Sequence, residues 1–202
     1  MSMLDKVTGI ILAGGKSSRM GQDKAFLAMG DKTLFEVVMD KMLKFFKEVV
    51  VVVAEPSLYE KYNQKILIKK DIIPESGPLG GLYTGLLFSS NRDNFLIACD
   101  MPFSNPDLLT YMAKNAKDSD AVVAEYNRRQ HPLFAFYSKS CASAARLQIS
   151  KGNLKMRDFL GQIGTKITKE SEVKEFDSNG LSFININTYD EYKSCYGKFQ
   201  KS

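Results

Sequence analysis

The sequence predicts a three-layer α/β fold, a mostly parallel, doubly wound sheet with helices on both faces. Three observations predict it. Short, largely apolar runs with valine and isoleucine recur along the chain, as expected of strands covered by helices on two sides. Between them lie segments with apolar residues at three- and four-residue spacing. Gly, Pro, Asn and Asp mark the joints, and strand alternating with helix is the pattern of parallel crossover units.

The first run, Val7 to Leu12, ends at a glycine pair and predicts a buried strand feeding a loop. Thr33 to Phe46 places Leu34, Val37, Val38, Met42 and Phe45 near helical spacing, and Thr33 with Glu36 has the form of a capping box. Five consecutive valines, Val49 to Val53, are too β-branched for a helix and give the second strand. Ile66 to Ile68 is the third, followed by Asp71, a Pro- and Gly-containing loop from Ile73 to Gly81, and an apolar helix over Leu82 to Phe88. Phe95 to Cys99 is the fourth and stops at Asp100. Asn105 and Pro106 then supply an N-cap and a first-turn proline for a helix through Ala113.

After Asp120 two closer strands are expected, Ala121 to Glu125 and Leu133 to Tyr137, as a hairpin or an antiparallel addition. Helices are expected over Lys139 to Ile149 and Leu154 to Gln162, late strands over Val173 to Phe176 and Ser182 to Ile186, and a terminal helix over Tyr189 to Phe199. A chain of 202 residues without repeats or low-complexity segments fits one domain. In such a sheet ligands bind beyond the carboxyl ends of the strands, so the site should be built from loops.

Composition excludes several classes. The 28 basic and 23 acidic residues leave +5, which suits phosphorylated small molecules as readily as nucleic acid. Basic residues are scattered, and Lys41 to Lys47 alternates like an amphipathic helix, so no nucleic-acid surface is expected. Cys99, Cys141 and Cys195 are widely spaced and odd in number, which fits neither a disulfide framework nor a zinc knuckle; Cys99 reads as a strand residue. His131 is the single histidine, so a multi-histidine metal site is excluded and any metal must take oxygen ligands. With no signal peptide and no run of 18 apolar residues, a cytoplasmic protein without membrane attachment is expected.

The informative stretch is Leu12-Ala13-Gly14-Gly15-Lys16-Ser17-Ser18-Arg19-Met20-Gly21-Gln22-Asp23-Lys24. Glycines let backbone N–H groups approach phosphate oxygens, and Arg19 and Lys24, with Lys16 as a helper, can offset the charge of a triphosphate and of leaving pyrophosphate. The spacing is neither that of a Walker A loop nor G-x-G-x-x-G. On glycine content alone it would read as a basic surface turn.

The full string resembles the L-A-G-G-x-S-x-R-M-G-x-D-K signature of the MobA-type molybdenum cofactor guanylyltransferases, within the nucleotidyltransferase superfamily. Gly14-Gly15 and Asp23-Lys24 select this branch, since the wider superfamily often has A-A-G and Pro-Lys there. The resemblance continues in order through Asp71 and Gly77-Pro78-Leu79-Gly80-Gly81, Cys99-Asp100-Met101-Pro102, His131-Pro132, and Phe183 to Thr188. One departure is that Val53 and Ala54 stand where several members carry an asparagine.

The resemblance implies a Rossmann-like nucleotidyltransferase fold, with a nucleotide-binding half over about 1–104 and an acceptor-binding half over about 105–202. It implies transfer of GMP from the substrate GTP to the phosphate of molybdenum-molybdopterin, with magnesium as cofactor and pyrophosphate released. Arg19, Lys24 and Asp100 are implied as catalytic. Leu12, Ala13, Gly14, Gly15, Lys24, Asp71, Gly80, Gly81 and Asp100 are implied at the nucleotide, and Asp100 with Asn187 at the metal. His131, Asn185 and Asn187 are implied on the acceptor side, with Lys155 and Arg157 as further candidates for its phosphate. Transient contact with molybdenum-cofactor delivery proteins and molybdoenzymes would follow. The rival readings are cytidylyl transfer, nucleotidyl transfer to a sugar phosphate, and a non-catalytic GTP-binding cofactor chaperone.

Overall fold

A computed structural model describes residues 3–13 and 24–199. Its elements are β1 (Val7–Leu12), β2 (Ala28–Met29), β3 (Lys32–Thr33), α1 (Leu34–Phe45), β4 (Glu48–Val53), β5 (Leu67–Lys70), α2 (Gly77–Phe88) and β6 (Asp93–Ala98). Then follow α3 (Pro106–Lys114), β7 (Ala121–Tyr126), β8 (Arg129–Ser138), α4 (Cys141–Ser150), α5 (Met156–Leu160), β9 (Thr165–Thr168), α6 (Glu170–Lys174) and α7 (Tyr189–Phe199). Seven strands form one sheet in the order β5-β4-β1-β6-β8-β7-β9, and β2 pairs with β3 in a small hairpin. β8 runs antiparallel to both of its neighbours, while the other pairings of the sheet are parallel. This is the mostly parallel, doubly wound α/β fold that the sequence predicts.

Strand alternation fixes both faces. Val49, Val51 and Val53 of β4, with Ile11, Phe95, Ile97, Phe134 and Phe136, meet α1 and α3 through Phe35, Val38, Met42, Leu108 and Met112. Val50 and Val52, with Ile10, Leu96, Val123, Ala135 and Tyr137, meet α2, α4 and α5 through Leu82, Leu86, Ala145 and Phe159. The valine run is therefore apolar throughout because each face has its own helical layer. A third, smaller core of Met29, Leu34, Phe103, Leu181 and Ile186 joins the hairpin to Tyr192 and Cys195 of α7.

The caps read from the sequence are present. The Thr33 hydroxyl accepts the N–H of Glu36 while Glu36 accepts that of Thr33, and Asn105 Oδ1 accepts the N–H groups of Asp107 and Leu108. The three cysteines form no disulfide.

Four differences have physical causes. The expected strand over Val173 to Phe176 is instead helix α6 with a following turn, because Val173 and Phe176 recur at a three-residue spacing and Glu172 accepts the N–H of Lys169 at 2.8 Å. The expected strand over Ser182 to Ile186 begins as a 3-10 turn over Leu181–Phe183, since the Asp177 carboxylate accepts both the Leu181 and Ser182 N–H groups and closes the chain into a turn. Helix α2 starts at Gly77 rather than Leu82, with Pro78 in its first turn. Strand β9, Thr-Lys-Ile-Thr, lies at the sheet edge with little apolar signal.

Candidate active site

The parallel strands end together. At their carboxyl edge the Ala13 N–H donates to Val52 O at 3.0 Å, the Cys99 N–H to Leu12 O at 3.0 Å and the Asp71 N–H to Val53 O at 2.9 Å. The chain segments that follow β1, β5 and β6 are thereby fixed to the sheet and hold Ala13, Asp71 and Asp100 along one edge. Because β8 is antiparallel to β6, with Ile97 opposite Phe134, its first residues lie at the same edge, His131 among them. The Ile186 N–H donates to Asp100 O at 2.7 Å and brings the late segment 184–188 to this place.

Asp100 is the centre of the contacts. Lys24 Nζ lies 2.7 Å from its Oδ2, with side-chain exposures of 21% and 18%. Asn185 Nδ2 donates to the same oxygen at 3.2 Å. Oδ1 is buried and accepts no hydrogen bond among the described residues. A strand-end carboxylate with one oxygen unsatisfied is a hard-oxygen ligand of the kind that magnesium takes. Among the described residues no group of three or more His, Cys, Asp or Glu side chains is placed to hold a metal ion. A cation at Asp100 would leave room in its shell for phosphate and water.

Asp71 braces the turn into α2: its Oδ1 accepts the Ile73 N–H at 3.1 Å and the Thr84 hydroxyl at 3.0 Å. Gly80 and Gly81 are buried on α2, and their missing Cβ atoms let the helix close on its neighbours. A Cβ on Gly81 would stand 2.8 Å from Leu12 Cδ2, and one on Gly80 would stand 2.7 Å from Ser76 Cβ. Leu12 thus meets α2 directly, and both glycines have a packing reason for being glycine.

His131 belongs to strand β8. Its ring stacks on Phe183 at 4.3 Å, Phe183 in turn stacks on Tyr126 at 5.5 Å, and burial lowers the imidazole pKa. At neutral pH it offers a neutral ring. Asn187, implied as the second metal ligand, gives its backbone N–H to Glu191 Oε2 at 2.6 Å, and Asn185 bonds Asp100 through its side-chain amide. That N–H bond lowers the Glu191 pKa, and Lys24 is close enough for its charge to add to the shift. Lys155 and Arg157 are exposed around the start of α5. Gly14, Gly15, Lys16 and Arg19 lie outside the described residues.

Sequence reasoning missed Tyr59. It sits in a 3-10 helix, Pro56–Tyr62, and its hydroxyl donates to Ala13 O at 3.1 Å. It also missed Tyr62, whose hydroxyl donates to Glu36 Oε1 at 2.7 Å, and Thr84 beneath Asp71. The only signal was the Glu-Pro-Ser start of that 3-10 helix, which marks a turn but no partner.

The family described as "MobA-like NTP transferase domain" matches residues 9–167, a span that includes Asp71, Asp100 and His131. The chain belongs to the MobA-like NTP transferase family. It is 33% identical over 193 residues to a probable molybdenum cofactor guanylyltransferase of Peptoclostridium acidaminophilum, covering 92% of this chain and 86% of that one. A protein of the same description from Clostridium perfringens is 33% identical over 196 residues, covering 96% and 98%. Among solved structures, molybdopterin-guanine dinucleotide biosynthesis protein A from Archaeoglobus fulgidus is similar with a TM-score of 0.79 and 26% identity, covering 96% of this chain and 100% of that one. The MobA-like chain is accordingly a nucleotidyltransferase, and no helix among its described residues is long and apolar enough to cross a membrane.

Proposed function

We propose that this enzyme transfers the GMP unit of GTP to the terminal phosphate of molybdenum-molybdopterin and releases pyrophosphate. The observation that carries the reading is the contact of Lys24, the last residue of the signature, with Asp100 at the strand edge, 2.7 Å apart across 76 residues of sequence. An oxygen of the acceptor phosphate attacks the α-phosphorus of GTP in line. A new P–O bond forms as the bond from the α-phosphorus to the bridging oxygen breaks, and that oxygen leaves with pyrophosphate. The acceptor phosphate is already ionised at neutral pH, so no protein base is required and positioning supplies most of the catalysis.

Each group has its part. The backbone of Leu12, Ala13, Gly14 and Gly15 cradles the phosphates, and Arg19 and Lys24 balance the charge that develops on pyrophosphate. Asp71, Gly80 and Gly81 shape the nucleoside side from the far end of the edge. His131, Asn185 and Asn187 face the acceptor. Asp100 would hold magnesium, which supplies charge neutralisation at the phosphate oxygens. Residues up to about 104 then form the nucleotide half of a single domain and the remainder the acceptor half. We place the enzyme in the cytoplasm, where delivery proteins and molybdoenzymes make transient contact with it.

The test is pyrophosphate release from GTP, CTP, ATP or UTP with magnesium and molybdenum-loaded molybdopterin. Release with GTP that Asp100→Ala abolishes is expected. Preference for CTP would make the enzyme a cytidylyltransferase, in keeping with Val53 and Ala54 in place of the family's asparagine. Tight GTP binding without release would make it a carrier.

A further inference from the structure

We propose that Lys24 holds the cation's place at Asp100 in the free protein, so that the divalent cation enters only with the triphosphate that draws Lys24 away. This inference rests on the reading of Asp100 as the cation's ligand. Two donors already converge on Asp100 Oδ2, the Lys24 ammonium at 2.7 Å and the Asn185 amide at 3.2 Å, whereas Oδ1 has neither. A cation taken by the unsatisfied Oδ1 would share its carboxylate with that ammonium, and one approaching Oδ2 meets the ammonium and the positive end of an amide dipole directly. Both partners of the ion pair are about four-fifths shielded from water, so screening by solvent and salt is weaker than for a surface pair.

The competition is unequal. Lys24 is tethered to the same chain and reaches Asp100 without the entropy loss of association. A free magnesium or manganese ion must shed water for one carboxylate, since the described residues contain no acidic cluster to complete its shell. Arrival of a triphosphate changes both terms. Its negative charge attracts the compact ammonium on its flexible stem, and its oxygens supply the ligands that Asp100 cannot. The Glu191 carboxylate is also near enough to feel the charge of Lys24. Cation and nucleotide then raise each other's affinity by the same factor, as linkage requires.

Water proton relaxation with Mn²⁺, which reports the ion on the slowly tumbling protein, tests this in the full chain without any acceptor. Native protein should bind Mn²⁺ weakly alone and about tenfold or more tightly with GTP. Lys24→Met and Lys24→Gln should each raise the Mn²⁺ affinity of the nucleotide-free protein about tenfold, and adding Asp100→Asn should remove the gain. Two variants are used so that a folding defect in one leaves the other to decide, with thermal unfolding as the check. If both bind Mn²⁺ no more tightly than native protein, while the native GTP complex still binds Mn²⁺ through Asp100, the competition is overturned and the Asp100 assignment stands. If Asp100→Asn leaves the Mn²⁺ signal of the GTP complex unchanged, or native protein with GTP gives none, both fall.

Discussion

The phenol of Tyr59 donates a hydrogen bond to the carbonyl of Ala13 at 3.1 Å, from a side chain that is 1% exposed. Its ring also lies 5.0 Å from that of Phe26 and meets Phe35 nearly edge-on at 4.9 Å. One residue after β4 therefore touches the chain on both sides of the glycine-rich stretch, at Ala13 before it and at Phe26 after Lys24. Tyr59→Phe keeps the ring and removes only the hydroxyl. The expected result is a loss of about 1 kcal/mol in denaturant unfolding, the cost of a buried carbonyl without its donor, together with weaker GTP binding. Unchanged stability and unchanged GTP affinity would show that the bond positions nothing.

Glu36 ties the start of α1 to the same region. The backbone N–H of Thr33 does most to lower its pKa, and the Tyr62 hydroxyl adds to it, bringing the value from 4.5 to about 2. The folded carboxyl thus titrates below the unfolded one. Its contribution to stability is complete above about pH 4.5 and is lost as pH falls through about 2. Glu36→Gln should cost about 2 kcal/mol at neutral pH, the worth of its charge-assisted bonds, and flatten the acid limb of a Tm–pH profile in that window. A parallel acid limb in the variant would contradict this.

The approach of α2 to β1 makes a sharper demand. A Cβ on Gly85 would stand 2.5 Å from Ile10 Cγ2, whereas one on Gly161 would meet nothing closer than 3.5 Å. Gly85→Ala should destabilise by roughly 1–3 kcal/mol through overpacking, and Gly161→Ala by no more than about 0.5 kcal/mol. Urea midpoints of the two variants compare them directly. Equal shifts would mean that Ile10 gives way at little cost.

What the sequence carried, and what it did not, follows from where each signal resides. β1, β4 and β6 were legible because they are central strands, and a strand covered on both faces carries a nearly continuous apolar run. The capping box at Thr33 and the Asn105 cap were legible because side chain and backbone partner lie within three residues. β9 and the segment 182–186 were not. The first is an edge strand that needs little apolar surface, and the second was turned by Asp177, whose role depends on which N–H groups happen to lie nearby. At the candidate site the strand-end position of Asp100 followed from the run that ends before it. Its contacts with Lys24 and Asn185 span 76 and 85 positions, and that of Tyr59 with Ala13 spans 46. Only the closed sheet brings such pairs together. The resemblance pointed to Lys24 and Asp100 separately, and the closed fold made them neighbours.

The two asparagines near the end of the chain separate by the same logic. Asn185 and Asn187 are two residues apart, a spacing that would put them on one face of a strand, but the segment is not part of the sheet, and of the two it is Asn185 that bonds Asp100 Oδ2. Asn187 engages Glu191, chiefly through its backbone N–H, which a side-chain substitution leaves in place. Asn185→Ala should therefore lower kcat about 10–100-fold, the usual effect of removing a group that orients a metal-binding carboxylate, and weaken Mn²⁺ binding in the GTP complex. Asn187→Ala should leave Mn²⁺ binding unchanged and show instead in the KM for the acceptor. Steady-state kinetics with GTP and acceptor varied in turn, beside the Mn²⁺ titration, distinguish the two. The reverse pattern, with Mn²⁺ binding lost in Asn187→Ala and kept in Asn185→Ala, would mean that the nucleotide complex turns this segment by two residues and exchanges the partners of Asp100.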